Sequence, residues 1–364
     1  MTIPPFASTH EPSSTARTDA DRDAILVDPG FGVHFTDHMF LAEWTDTAGW
    51  HDARVVPYGP LQLDPATAVL HYAQEIFEGL KAYRHADGSV WTFRPEANAA
   101  RLARSAHRLA LPELPEEWFL GSIRALVEAD EAWVPAGEEK SLYLRPFMFA
   151  SEAFLGVRPS RHVTYSVIAS PAGAYFPGGV KPVDIWLSQE YSRAGAGGTG
   201  AAKTGGNYAS SLLPQQEASA HGCAQVAFLD STEKKWIEEL GGMNLYFVQA
   251  DGSIVTPELS GSILEGITRD SIVQLARDRG HEVVERRVSI DEWREGTADG
   301  TITEVFACGT AAVVTPVGSL KWPDGQAVAG DGSAGKVTMD LRSALVDIQY
   351  GRADDPHRWM SRLV

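Results

Sequence analysis

The chain has 364 residues, 44% apolar and 22% charged, an ordinary globular composition in a length beyond the usual single hydrophobic core. Its 31 basic against 48 acidic side chains give a net charge of −17, which argues against nucleic acid or an anionic membrane as partner, since both need a cationic face. Only two cysteines, Cys223 and Cys308, occur, far apart, and no run of eighteen apolar residues is present; no zinc motif and no spanning helix are expected, and a reduced, cytoplasmic setting is.

Residues 1–25 are polar and rich in Pro, Ser and Thr, and read as a flexible leader. From Asp64, a candidate N-cap followed by Pro65, apolar residues recur at helical spacing through Phe77, and Gly79 ends that helix. "LKAYRHADGSVWTFRP" alternates around an Asp-Gly turn and predicts a β-hairpin. "PEANAARLARSAHRLALP" and "PEEWFLGSIRALVEADEAWVP" return to helical period, and "SLYLRPFMFAS" and "RHVTYSVIAS" read as strands. The Pro- and Gly-rich "PAGAYFPGGVKP" marks an interdomain loop, with two aromatics that a plain linker does not need.

Beyond it come the strand "VDIWLS", a Gly-rich stretch around Lys203, a helix "NYASSLLPQQEASAHG" bent at Pro214, and the strand "QVAFLD". "KWIEELGGMNLYFVQADGSIVTP" predicts two or three antiparallel strands. "SILEGITRDSIVQLARDRG" predicts a helix with Gly280 as its C-cap. The strands "EVVERRVSI" and "EVFACGTAAVVTPVGSL" and an amphipathic helix "VTMDLRSALVDIQYG" complete the chain. The expected organisation is a small N-terminal α/β domain over 26–170, the loop over 171–181 and a large C-terminal domain over 182–364 that carries the lysine. Strands and helices mix in both halves, which makes the class α/β or α+β.

Lys203 sits alone among Gly, Ala and Thr in "GGTGAAKTGG", and two chemistries want such a setting. A phosphate-cradling loop wants glycines and a lysine, but Ala202 stands where the second glycine belongs and the loop does not follow its strand directly. A Schiff-base lysine wants small neighbours, a carboxylate for a ring nitrogen and an anion seat at a helix N-terminus. Glu239, entering a Gly-Gly kink, and the helix opened by Gly266, with free N–H groups at Ile267 and Thr268, answer the second set of demands.

K-T-G-G-N-Y, E-x-G-x-x-N-L-Y and I-L-x-G-I-T-R resemble the signature of the fold-type IV pyridoxal-phosphate enzymes. "FGVHFTDHMF", "HYAQEIFEGLKAY", "FRPEANAARLARSAHRLALP", "SLYLRP", "GAYFPGG", "VFACGTAAVVTPV" and "DIQYG" resemble, in order, the branched-chain amino-acid aminotransferases from about residue 30 onward. The resemblance implies the two-domain fold-type IV transaminase fold with an interdomain loop. It also implies transfer of an amino group between L-leucine, L-isoleucine or L-valine and 2-oxoglutarate, returning L-glutamate, on pyridoxal 5'-phosphate.

It implies Lys203 as the residue that bonds the cofactor and shuttles the α-proton, Tyr208 at the cofactor's phenolic oxygen and Glu239 at its ring nitrogen. Arg101, Ile267, Thr268 and Thr310 would hold the phosphate. Phe31, Phe77, Tyr143 and Tyr175 would box the apolar side chain. Thr310 and Ala311, assisted by Tyr72, would meet the α-carboxylate, and Arg145 with Tyr143 the γ-carboxylate of glutamate. Leu155 and Val157 match a loop that reaches a neighbouring subunit's pocket, which implies a homodimer, and Tyr72 would also cross the interface. Where some relatives carry a CxxC pair after the "GTA" turn, Ala312 and Thr315 stand here, so a thiol switch of that kind is absent; Gly242 replaces a threonine of some relatives. D-amino-acid transaminases and aminodeoxychorismate lyases share the Lys203–Glu239–Gly266 skeleton but not the aromatic box. The sequence leaves open the preference among the three branched side chains, since one methyl changes binding by only about 1–3 kcal/mol.

Overall fold

The computed structural model of the chain describes residues 2–175 and 179–364. The chain divides into two compact units, Met1–Tyr175 with Ala202–Gly205 and Asp347–Val364, and Phe176–Ala201 with Gly206–Val346. The split follows Tyr175, inside the loop expected over 171–181; Phe176, Pro177 and Gly178 of that loop lie outside the described residues. The lysine segment, expected with the C-terminal domain, packs with the first unit.

In the first unit, residues read as a mobile leader are tied down. Strand β1 (Thr9–His10) pairs in parallel with β3 (Gly49–Pro57), helix α1 spans Asp19–Val27, and Ile3 is buried with its N–H donated to the Arg362 carbonyl. Apolar anchors explain the difference: Phe6 stacks edge-on against Trp118, and a Cβ at Gly121 would stand 2.3 Å from the Phe6 side chain, so this glycine makes the notch that receives it. Polar composition alone does not reveal two well-placed hydrophobes.

The expected helix ending at Phe77 is a second correction. Only one turn forms, α2 (Val69–Tyr72), and Ala73 stops it in the left-handed region at φ 49°. Asp64 caps a turn at Ala66 rather than a helix, and Glu75–Phe77 is strand β4, paired antiparallel with β7 (Ser141–Ala150). Tertiary partners override the helical period: the Phe77 N–H is taken by the Lys203 carbonyl and the Glu78 N–H by that of Pro146.

The hairpin forms as β5 (Leu80–Arg84) and β6 (Val90–Phe93), and the two helices as α3 (Pro95–Arg108) and α4 (Glu116–Ala129). With β2 (His38–Thr45) and β8 (His162–Ala172) the sheet runs β1-β3-β2-β8-β7-β5-β6 and ends on the C-terminal strand Met360–Arg362. Its core packs Phe40, Leu144, Met148, Tyr165 and Val167 against Leu102, Ala106, Phe119, Ile123 and Leu126 of α3 and α4.

The second unit holds β9 (Val183–Ser188), helices α5 (Gly205–Ala209) and α6 (Leu212–Ala220), β10 (Gln225–Leu229), β11 (Ile237–Leu240), β12 (Asn244–Gln249) and β13 (Ile254–Thr256). Then follow α7 (Ile267–Asp278), β14 (Val283–Glu285), α8 (Ile290–Asp299), β15 (Ile302–Gly309), β16 (Val313–Trp322), β17 (Gly325–Val328) and α9 (Lys336–Gln349), whose last residues belong to the first unit. The sheet order is β11-β10-β9-β16-β15-β12-β13-β14, with parallel pairs at β9–β10, β9–β16 and β13–β14. Leu245, Phe247, Trp293, Val305 and Val317 lie in its core.

Three local expectations shift. The helix expected to bend at Pro214 breaks instead at Ser210–Ser211, and Pro214 falls in the first turn of α6, where a missing N–H costs little. Strand β11 pairs with β10 and does not form a hairpin with β12. Helix α7 starts only at Ile267 and its C-cap is Arg279, with Gly280 following at φ 83°.

Candidate active site

The lysine cluster of the first unit is built by one stripe of α3 and two strands. Asn98, Arg101 and Ser105 recur at helical spacing and are all buried, whereas Arg104 and Arg108 of the same helix are exposed. Ser105 accepts the Lys203 backbone N–H at 3.0 Å, and the β4 backbone holds the Lys203 carbonyl, so the lysine is pinned at both peptide groups. Arg101 meets Glu78, which is fully buried, through Nε and Nη2, each at 2.7 Å, and Asn98 donates to the same carboxylate at 2.7 Å. Burial pushes the Glu78 carboxyl up, but the Arg101 guanidinium, the nearby Lys203 ammonium and Asn98 outweigh it and hold it below its ordinary value.

The Lys203 Nζ lies over the Phe77 ring at 4.7 Å from its centre. Burial, with the Arg101 guanidinium beside it, pushes the amine down to about 8, against a pull upward from Glu78. The Arg145 guanidinium shares the Phe77 ring at 4.8 Å and donates from Nη2 to the Tyr143 hydroxyl at 3.2 Å. Phe31, half-exposed, closes edge-on against Tyr143 at 5.1 Å. Lys203, Arg101, Phe77, Tyr143, Arg145 and Phe31 are thus linked into one cluster of the first unit. A second, exposed group stands in the same unit: Tyr72 donates to the Leu155 carbonyl at 2.7 Å, with the Leu155 and Val157 side chains 67% and 90% exposed. Tyr175 is exposed at the unit's edge.

Sequence reasoning missed Glu75 and Glu78, although both stand in the quoted "HYAQEIFEGLKAY". Glu75 accepts the Gly205 N–H and, at 3.3 Å, the Thr204 hydroxyl. Burial raises its carboxyl, opposed by these bonds and by Arg145. The nucleotide-loop alternative meets its obstacle here, because the N–H that would face a phosphate after Lys203-Thr204 already holds a carboxylate.

The second unit carries the remaining residues. Glu239, on β11, is buried; it pairs with Arg193 Nη1 at 2.9 Å and accepts the Leu264 N–H at 2.8 Å. Arg193 is buried as well and was not singled out from the sequence. Its neighbour Glu238 instead accepts the Ser262 hydroxyl, and burial raises its carboxyl. Tyr208 lies in α5, half-buried beside Gly242.

Helix α7 begins after Gly266 without a side-chain cap, so the N–H groups of Ile267 and Thr268 are those a helix leaves without an internal acceptor. Gly266 is required there: a Cβ would lie 2.1 Å from the Asn244 Oδ1, while the Asn244 Nδ2 donates to the Leu264 carbonyl at 3.2 Å. Thr310 and Ala311 occupy the turn between β15 and β16. Val313, two residues beyond Ala311 and buried, sits at φ 63°, a rare conformation for a β-branched residue. The buried Arg342 donates to the carbonyls on either side of it, Ala312 at 3.1 Å and Val314 at 3.3 Å. The turn's strain and its arginine brace leave no local sequence signal beyond the motif. Among the described residues no cluster able to hold a metal is found, and no helix is long and apolar enough to cross a membrane.

The class IV amino-transferase family model matches residues 75–320. The chain is 62% identical over 354 residues to a probable branched-chain-amino-acid aminotransferase of Streptomyces coelicolor, covering 97% of this chain and 98% of that one. It is 59% identical to the branched-chain-amino-acid aminotransferase of Mycolicibacterium smegmatis over 100% of both. The crystal structure of the T.th. branched-chain amino acid aminotransferase complexed with N-(5'-phosphopyridoxyl)-L-glutamate matches with a TM-score of 0.74 and 31% identity, over 89% of this chain and 98% of that one.

Proposed function

The chain belongs to the class IV amino-transferases, and from that premise we propose that it exchanges the amino group of L-leucine, L-isoleucine or L-valine with 2-oxoglutarate on pyridoxal phosphate. The observation that carries this reading is the lysine cluster: a half-buried lysine whose amine is held down to about 8, beside a buried arginine and aromatic rings. The donor sets fit such a cofactor. In the first unit Arg101 suits a phosphate anion; in the second the uncapped start of α7 suits one too, and Glu239 suits a protonated ring nitrogen.

When bound, the cofactor supplies an electron sink that makes the amino acid's α-proton removable. The chain's own residues do the rest. Lys203, its amine held down to about 8 and so closer to the free base than an ordinary lysine, takes and returns that proton, its position fixed by Ser105 and by β4. Tyr208 gives its hydroxyl to the ring's phenolic oxygen. Thr268 adds a hydroxyl to the phosphate seat, and Thr310 adds another donor to it. Phe31, Phe77, Tyr143 and Tyr175 exclude water from a branched side chain. The backbone N–H groups of Thr310 and Ala311 orient the α-carboxylate, helped by Tyr72.

Arg145, parked on Tyr143 and Phe77, is the cation that receives the γ-carboxylate of glutamate. One site then serves both partners, because an aromatic wall accepts the isobutyl group and a stacked guanidinium swings to the acid. The exposed Leu155 and Val157 are proposed to cover the site of a second copy, making a homodimer. Two free, buried cysteines support a reducing, cytoplasmic setting.

Half-reaction spectroscopy tests the reading. The purified protein should show a visible-edge absorbance band that borohydride bleaches while fixing the cofactor to Lys203, and in the unreduced protein L-leucine, L-isoleucine and L-valine should discharge it. A band discharged only by D-amino acids, or ATP binding without any band, would overturn it.

A further inference from the structure

Glu78 is fully buried, and its two shortest contacts with a charged group are to Arg101, which the reading above places at the phosphate. Its Oε1 takes the Arg101 Nε; its Oε2 takes Arg101 Nη2, Asn98 Nδ2 and, at 3.2 Å, the Gly79 N–H. A two-point pair of this kind fixes a guanidinium's plane as well as its place. The same α3 stripe that supplies Asn98 and Arg101 supplies Ser105, which holds the Lys203 N–H. The carboxylate therefore stands within one rigid frame with two cations.

The charges facing the Lys203 amine come from three elements. Arg101 lies on α3. Glu78 follows β4, from which Glu75 reaches the Gly205 N–H. Arg145 and Tyr143 lie on β7. Two guanidinium groups therefore oppose the ammonium form, and Glu78 favours it.

We propose that Glu78 is a positioning residue for both cations: its carboxylate sets the plane in which Arg101 meets a phosphate, and it supplies the negative charge that balances Arg101 beside the Lys203 amine. This rests on the reading of Lys203 and Arg101 given above and adds a residue to it. A purely structural carboxylate replaced by an amide of the same shape would cost stability but move neither the preference for a phosphate-bearing ligand nor the pH midpoint of the amine.

The test uses the full chain stripped of cofactor and two probes, pyridoxal phosphate and pyridoxal. In each, the Lys203 amine condenses with the aldehyde, releasing water, and borohydride adds hydride to the C=N bond, so trapped label reports the lysine. Pyridoxal has no phosphate, so the ratio of the two affinities isolates Arg101. In Glu78→Gln, that ratio should fall at least roughly tenfold, since the charged hydrogen bonds that orient Arg101 are lost. The pH midpoint for pyridoxal capture should fall by about one unit, since the amine loses its favourable charge.

An unchanged ratio with an unchanged midpoint, in a variant whose thermal unfolding shows it folded, overturns the proposal. Should Glu78→Gln not fold, Asn98→Ala, which loosens the carboxylate but keeps its charge, decides: the ratio should fall at least roughly threefold, and no change overturns the proposal. Failure of the wild-type chain to take pyridoxal phosphate on Lys203 would instead sink the earlier reading.

Discussion

The two units hold their candidate residues by different physics. The first uses formal charges in a buried frame: Glu78, Arg101, Lys203 and Arg145 gathered from β4, α3, the lysine segment and β7. The second relies largely on backbone polarity, with the free N–H groups of α7 and the turn at Thr310 and Ala311, and one buried ion pair, Arg193–Glu239. Buried charges are costly to leave unpaired, whereas a lost hydroxyl or a relaxed turn costs little. The first half should therefore be brittle to substitution and the second tolerant, Glu239 apart.

The comparison breaks most sharply at Lys203→Ala. Transamination should fall by at least ~10³-fold, with the borohydride-sensitive visible-edge band gone, because proton transfer and the covalent link vanish together. Next in size, Arg101→Ala strands Glu78 in the interior. A loss of about 3–5 kcal/mol of stability is expected by denaturant unfolding, in addition to weak cofactor retention. Glu239→Gln should act similarly in the second unit by leaving Arg193 unbalanced, and equal stability of this variant and the wild type would erase the distinction drawn for Glu239.

The cofactor-free Lys203 amine should react with an amine-directed reagent with a midpoint near pH 8, about 8 being its value in the folded chain against 10.5 for an ordinary lysine. The sign is that of a depressed amine: reactivity is suppressed below pH 8 and full above it, and a midpoint near 10.5 would deny the burial and the Arg101 repulsion. Smallest of all, Thr268→Ala should weaken cofactor affinity by less than about tenfold, since a single neutral hydrogen bond is worth about 1 kcal/mol and the helix N–H groups remain. A larger loss would mean that the seat depends on the hydroxyl rather than on the backbone.

The same contrast explains what could be read from the sequence. Gly266, Ile267 and Thr268 were legible because a helix start is a local event, signalled by spacing within a few residues. Strand β4 was not: "AQEIFEG" has helical period, and only its pairing with β7 and the peptide groups of Lys203 and Pro146 make it extended. Arg101 needed the family resemblance to be chosen among its neighbours. The buried stripe of Asn98, Arg101 and Ser105 gives the physical reason, but it is visible only once the helix is oriented. Glu78, Arg193 and Arg342 lay outside any argument from spacing because each is defined by partners distant in the chain. The leader misled for the opposite reason: most of it is polar, and its docking rests on a few scattered contacts, with Ile3 and Phe6 in apolar surroundings, β1 on β3 and Arg17 at the Phe35 carbonyl.

The way the first unit is stitched together bears on how the chain is made. The second unit closes on itself by Val346, but the first waits for Asp347–Val364, and Ile3 bonds to Arg362 near the opposite end of the sequence. Contacts of such long separation form late and slowly. A growing polypeptide thus emerges with Ile3 and the β6 edge of its first sheet unclaimed until Met360–Arg362 has left the ribosome, so the intermediate most in need of a chaperone is one in which the second unit is already native.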